Sequence, residues 1–129
     1  MNIALIAHDN KKADMVAFVM KRLDFFKSKD VKLYATGTTG SHIKHAGGLE
    51  VECLKSGPLG GDAQIAALLV EGKIDMILFF IDPMFSHPHS VDIHMLMRLC
   101  NVYDIPLATN YATAARLTLL PLSVSAQKL

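Results

Sequence analysis

The sequence predicts an α/β fold, a three-layer sandwich on a five-stranded parallel sheet, with one domain spanning residues 1–129. Three observations carry this. Short apolar strands alternate with amphipathic helical stretches, and no Ser-rich or Pro-rich linker divides them. The segment Ile74 to Ile81 is almost continuously apolar, as suits a central parallel strand covered on both faces. A chain of 129 residues is long enough for one core that buries roughly two-thirds of the unfolded surface.

The first strand is Asn2 to Ala7. A helix follows in which Met15, Phe18, Val19, Leu23 and Phe26 recur on one face, with Lys21, Arg22, Lys27 and Lys29 as its solvated surface. Val31 to Ala35 is the second strand. Thr36-Gly37-Thr38-Thr39-Gly40 then opens a short helix that Gly47-Gly48 closes. Leu49 to Leu54 is the third strand, Lys55 to Gly61 a loop, and the next helix begins near Asp62, a candidate for its cap. Ile74 to Ile81, the fourth strand, ends in Asp82-Pro83. The loop Met84 to His89 leads to a helix whose expected buried stripe is Ile93, Leu96, Met97 and Cys100. Pro106-Leu107-Ala108 belongs to the fifth strand, and Ala112 to Leu120 is a last helix before a weakly patterned tail.

Composition narrows the function. Hydrophobic residues at 51 per cent against 19 per cent charged residues argue against disorder. Thirteen basic and twelve acidic residues give a net charge of +1, so no overall field favours nucleic acid or a membrane surface. No apolar run is longer than Met76 to Ile81, which is too short to span a bilayer, and Met1 leads directly into strand-like sequence, so a cytoplasmic protein is expected. Cys53 and Cys100 are expected as two buried small hydrophobes in a reducing compartment.

Nearly every functional-looking polar cluster directly follows a strand: His8-Asp9, Thr36 to Gly40, Ser56 to Asp62, Asp82 to Asp92 and Thr109-Asn110. In an open parallel sheet the carboxyl ends of the strands form a common rim where ligands bind, so these clusters are expected to converge. The Thr36 to Gly40 turn offers three hydroxyls and flexible backbone at a helix N-terminus, which favours an anion; alone it would equally suit a Thr-capped turn. A second such turn, Ser56 to Gly61, and Lys12 on the first turn of the first helix strengthen the case for phosphate. The Walker spacing and the dinucleotide Gly-x-Gly-x-x-Gly pattern are both absent.

His42, His45 and His94 fall in helical stretches and are expected at the surface. His8 and His89 lie on the rim beside a carboxylate, Asp9 and Asp92 respectively. A carboxylate that accepts from one imidazole nitrogen fixes the tautomer and leaves the other nitrogen to face a substrate oxygen. His87, His89 and Asp92 could instead suggest a metal, but no cysteine pairing or His-x-x-x-His spacing supports one. Asp62 and Asp82 are further rim carboxylates.

Together these residues resemble the methylglyoxal synthase family. The resemblance runs from Asn2 to about Ala115, through Ile3 to Asp9, Leu33 to Gly40, Ser56 to Asp62, Asp82-Pro83, Pro88-His89 with Asp92, and Ile105 to Asn110. It implies a Rossmann- or flavodoxin-like sandwich that converts dihydroxyacetone phosphate to methylglyoxal and inorganic phosphate. By the same resemblance Asp62 is the catalytic carboxylate, with His89 and Asp92 beside it in catalysis; His8 and His89 contact the substrate's oxygens, with Asp9 beside His8. Lys12, Thr36, Gly37, Thr38, Thr39, Ser56 and Gly57 then hold the phosphate. It further implies a homohexamer with no metal or organic cofactor. Inorganic phosphate is expected as product and inhibitor, and the charge balance predicts no nucleic-acid or membrane partner. Two departures stand out. Ser90 and Val91 occupy positions where the family usually has an acidic residue and a proline, and neither Arg116 nor Lys128 matches the arginine that the family carries near its end.

The chemistry fits the residues. A carboxylate such as Asp62 can take the proton alpha to the substrate carbonyl if hydrogen bonds stabilise the enediolate oxygen, and the phosphate turn can hold the ester bond perpendicular to the enediolate plane so that phosphate leaves. The rival from another class is a non-catalytic regulatory ligand-binding domain of the same fold, like that of large carbamoyl-phosphate synthetase chains. It would need the phosphate turn but not Asp62, His89 and Asp92 together. A second rival is an unrelated phosphosugar isomerase.

Overall fold

The computed structural model describes residues 1–84 and 90–119. The expectations placed on His87, His89 and the tail from Pro121 to Leu129 lie outside those residues. Five strands, β1 (Asn2–Ala7), β2 (Lys32–Thr36), β3 (Val51–Leu54), β4 (Met76–Phe80) and β5 (Leu107–Ala108), form one all-parallel sheet in the order β3-β2-β1-β4-β5. This is the Rossmann winding, not the flavodoxin one, and it places the reversal of strand order between β1 and β4.

Among the described residues the α-helices are α1 (Lys12–Lys21), α2 (Leu23–Phe26), α3 (Gly37–Gly47), α4 (Gly61–Val70), α5 (Ser90–Tyr103) and α6 (Tyr111–Leu117). Side chains alternate across a strand, so each strand feeds two cores. Ile3, Leu5, Leu33, Ala35, Leu78 and Phe80 pack with Met15, Phe18 and Val19 of α1, Ile43 of α3 and Ala114 of α6. On the opposite face Ala4, Ile6, Tyr34, Ile77 and Phe79 meet Ile65 and Leu69 of α4 and Leu96 and Cys100 of α5. All five residues of β4 are buried, as its continuous apolar run requires.

Several expectations need correction. The first helix does not run unbroken to Phe26: the chain leaves helical geometry at Arg22 (φ −124°, ψ 34°), and the break turns Phe25 and Phe26 into the core against one another and Phe18. Arg22 is half-buried instead of solvated, with its guanidinium 4.9 Å from the centre of the Phe18 ring. Met97 is 40 % exposed, because the buried face of α5 is centred on Leu96 and Cys100 and Met97 lies one step further round the helix. Cys53 is exposed on the edge strand β3, with its sulfur beside Gly40 of α3, whereas Cys100 is buried and its thiol is pushed up to about 11 by desolvation. Among the described residues, no helix is long and apolar enough to cross a membrane.

Candidate active site

A cleft of about 240 Å³ opens outside the carboxyl ends of β1, β2, β3 and β4, at the switch point. Its described lining includes His8, Asp9, Asn10 and Lys12 from the segment after β1, Thr36 at the end of β2 and Gly37 after it, Ser56, Gly57 and Asp62 after β3, and Asp82 after β4. Four segments far apart in sequence therefore converge on one rim, as their placement after strands predicts.

The two glycine-containing turns touch. Gly37 has φ +58°, and a Cβ there would lie 3.4 Å from Ser56 Cβ; its N–H donates to the Lys55 carbonyl at 3.2 Å. Gly61 is more tightly constrained, since a Cβ would come within 1.9 Å of the Lys55 carbonyl oxygen. That close approach starts α4 with Asp62 on its first turn. Asp62 is not the helix cap, contrary to expectation: Gly60 holds the cap position with left-handed backbone that a side chain would strain, which moves Asp62 inside the helix. Asp62 is 4 % exposed, and its carboxylate oxygens lie 3.3 Å from where a Cβ on Gly57 would sit.

Neither helix that starts at the cleft, α3 or α4, has a side-chain cap, whereas Asn110 caps α6 by accepting from the Thr113 N–H at 2.9 Å. An uncapped helix start leaves its dipole and amide donors to serve an anion. Lys12 Nζ adds a full positive charge, 3.2 Å from Thr38 Oγ1 and 3.1 Å from Asp9 Oδ1. Thr38 is exposed and joins the cleft through Lys12. Thr39 is fully buried and does not line the cleft, so its hydroxyl belongs to the base of the turn.

Asp9 does not hold His8 as the sequence suggests. Its side chain is 94 % exposed and pairs with Lys12. His8 Nδ1 accepts instead from the backbone N–H of Asp82 at 2.9 Å, and the edge of Phe79 meets the imidazole at 5.3 Å between ring centres. A ring nitrogen that accepts an N–H carries no proton, so the neutral imidazole bears its hydrogen on Nε2. Asp82 in turn accepts from Asn10 Nδ2 at 2.9 Å on Oδ2 and from the Met84 N–H at 3.0 Å on Oδ1. These two donors, Asn10 foremost, hold its carboxyl below the ordinary carboxylate range, assisted by the nearby charge of Lys11. Sequence reasoning missed Asn10, and its only signal was adjacency to His8-Asp9.

Asp92 stands on the first turn of α5, partly exposed, and is not among the described residues that line the cleft. His89 lies outside the described residues. Among the described residues no three His, Cys, Asp or Glu side chains are grouped to hold a metal ion.

The chain matches the family described as the MGS-like domain over residues 14–109. It is 54 % identical over 114 residues to the methylglyoxal synthase of Bacillus subtilis strain 168, which covers 88 % of this chain and 82 % of that one. The methylglyoxal synthase of Thermoanaerobacter sp. strain X514 is 55 % identical over the same share of this chain and 85 % of its own. The crystal structure of methylglyoxal synthase from Elizabethkingia anophelis NUHP1 superposes with a TM-score of 0.80 at 41 % identity, over 94 % of this chain and 78 % of that one.

Proposed function

The chain belongs to the methylglyoxal synthase family, a family of lyases, and from that premise we propose that the cleft converts dihydroxyacetone phosphate to methylglyoxal and inorganic phosphate. One observation carries the reading: a buried carboxylate, an imidazole with its donor nitrogen fixed, and two touching anion-binding turns with a lysine all border a single cleft. Each matches one requirement of the reaction.

Asp62 takes a proton from the hydroxymethyl carbon of the substrate. The electron pair of that C–H bond passes into the new carbon–carbon double bond, and charge develops on the former carbonyl oxygen. His8, through Nε2–H, and His89 donate to the substrate's oxygens and stabilise the enediolate. The hydroxyl on the deprotonated carbon then gives its proton to His89 as that carbon becomes the aldehyde, the double bond shifts toward the ester carbon, the bond from that carbon to the phosphate ester oxygen breaks, and inorganic phosphate leaves with its pair of electrons. The remaining enolate takes a proton on its terminal carbon to give methylglyoxal, with His89 and Asp92 in the proton traffic.

Lys12, Thr36, Gly37, Thr38, Ser56 and Gly57 make up the phosphate-binding region, Thr39 supports the turn from beneath, and Asp9 orients Lys12. Binding energy to this non-reacting end holds the ester bond perpendicular to the enediolate, which favours elimination over the reprotonation an isomerase would perform. On this reading inorganic phosphate, the product, competes for the same turns. The enzyme is a homohexamer of the cytoplasm.

The test is to incubate the pure protein with dihydroxyacetone phosphate and follow methylglyoxal and phosphate together. Equal amounts of both are expected. Phosphate binding without turnover would favour a regulatory ligand-binding domain, and conversion to glyceraldehyde phosphate would favour an isomerase.

A further inference from the structure

Beyond the end of β1 the sheet departs from its own pattern. His8 N–H still donates to the Phe80 carbonyl at 3.1 Å, as parallel β1–β4 pairing requires. The next rung of a parallel ladder would carry the Asp82 N–H to the His8 carbonyl. That carbonyl instead accepts the Lys11 N–H at 2.7 Å as the chain turns, and the Asp82 N–H goes to the His8 side chain. The imidazole has replaced the backbone as the last partner of β4.

This rung works only while the backbone at Asp82 stays close to β1, beyond the ends of the paired strands. Asn10 bridges the two segments here. It stands on the turn after His8, and its amide donates across the switch point to Asp82 Oδ2 at 2.9 Å. The Met84 N–H occupies the other carboxylate oxygen, so Asp82 is fixed both from its own loop and from the segment after β1. Hydrogen bonds to an ionised acceptor are the stronger kind.

We propose that Asn10 is a positioning residue which, through the Asp82 carboxylate, holds His8 in its Nε2–H tautomer. The inference rests on the proposed role of His8 as donor to a substrate oxygen. Without the Asn10 bridge the loop after β4 loses one of its ties to the segment after β1, the Asp82 N–H no longer occupies Nδ1 continuously, and the ring samples the tautomer with its hydrogen on the wrong nitrogen. That form turns a bare nitrogen to the substrate and cannot donate.

The test uses the full chain labelled with ¹⁵N-histidine. Long-range proton–nitrogen NMR reads which ring nitrogen of His8 is protonated, with the signal assigned by its loss in His8→Gln. In the parent protein His8 is expected as Nε2–H. In Asn10→Ala a second tautomer is expected, with kcat for methylglyoxal formation down about tenfold and KM within about twofold. Asn10→Asp sets a second carboxylate against Asp82 and is expected to lose more, while Asn10→Gln, which keeps the donor amide, restores part of the rate. An Nδ1–H tautomer in the parent overturns the proposal. So does an Asn10→Ala protein whose His8 signals are unchanged, whatever its rate, or one in which only KM rises. A parent protein that makes no methylglyoxal would sink the functional reading, whereas the tautomer measurement would still decide the role of Asn10.

Discussion

At the scale of single residues, Asp62 and His8 were visible in the sequence as rim residues, but the contacts that define them were not. Asp62 was equally good as a helix cap until the left-handed Gly60 took that position. The sequence points to the adjacent Asp9 as a partner of His8, yet His8 Nδ1 accepts from the backbone of Asp82, 74 residues away. Sequence neighbours of a rim residue are easy to over-read, because two successive residues leaving a strand project in different directions. The base assignment yields a sharp expectation. Asp62→Asn keeps the shape and removes the proton acceptor, so both methylglyoxal formation and exchange of the carbon-bound proton with deuterated water should fall by at least about a hundredfold. His89→Gln should slow methylglyoxal formation while exchange persists, since glutamine still donates one hydrogen bond. NMR of substrate turnover and deuterium incorporation in the same sample reads both. Near-normal exchange in Asp62→Asn would move the base to another rim carboxylate.

At the scale of elements, the strands were legible to within two residues at each end because each is a short apolar run bounded by turn residues. The helices were legible through their periodicity, apart from the break at Arg22 and the exposed Met97, where packing rather than pattern decides. The Thr36 to Gly40 turn was legible in composition but not in its contact with the Ser56 turn, which depends on Gly37. Lys12→Ala and Thr38→Val should mainly raise KM for substrate and weaken phosphate inhibition, at roughly 1.5 to 3 kcal/mol for a charge-assisted contact. Gly37→Ala should do the same and also destabilise the fold, because φ +58° costs a side chain about 1 to 2 kcal/mol before the approach to Ser56 is counted. Inhibition assays and thermal melts separate the two effects, and unchanged KM with unchanged inhibition in all three would remove the turn from the phosphate site. The edge position of β3 gives an independent check. Cys53 should react with a maleimide in the native protein at pH 7.5, while Cys100, buried and with its thiol raised to about 11, should react only on unfolding. Mass spectrometry of the labelled peptides distinguishes them.

At the scale of the whole molecule, alternation of strand and helix made the fold class legible, but the winding was not, because strand order depends on which strand each crossover returns to. The order β3-β2-β1-β4-β5 is what brings His8 and Asp82 into contact, so the site could be located on the rim from sequence but not assembled there. The same scale carries the expectation about assembly. A mean hydropathy of +0.31 is high for a chain of 14.1 kDa, and the fold leaves Met97, Val102, Tyr103 and Tyr111 between 40 % and 62 % exposed on α5 and α6. Two small cores lie on either side of the sheet, and we propose that these exposed side chains are covered by another chain. Closed symmetry is the usual way for identical chains to cover such surface without leaving a free face for open-ended growth, and a hexamer is the closed form the family resemblance implies. Light scattering on the purified chain at micromolar concentration should therefore give six times the mass of one chain, unchanged on tenfold dilution. A monomer under those conditions would show that the exposed apolar residues of α5 and α6 stay in water, and the hexamer would fall.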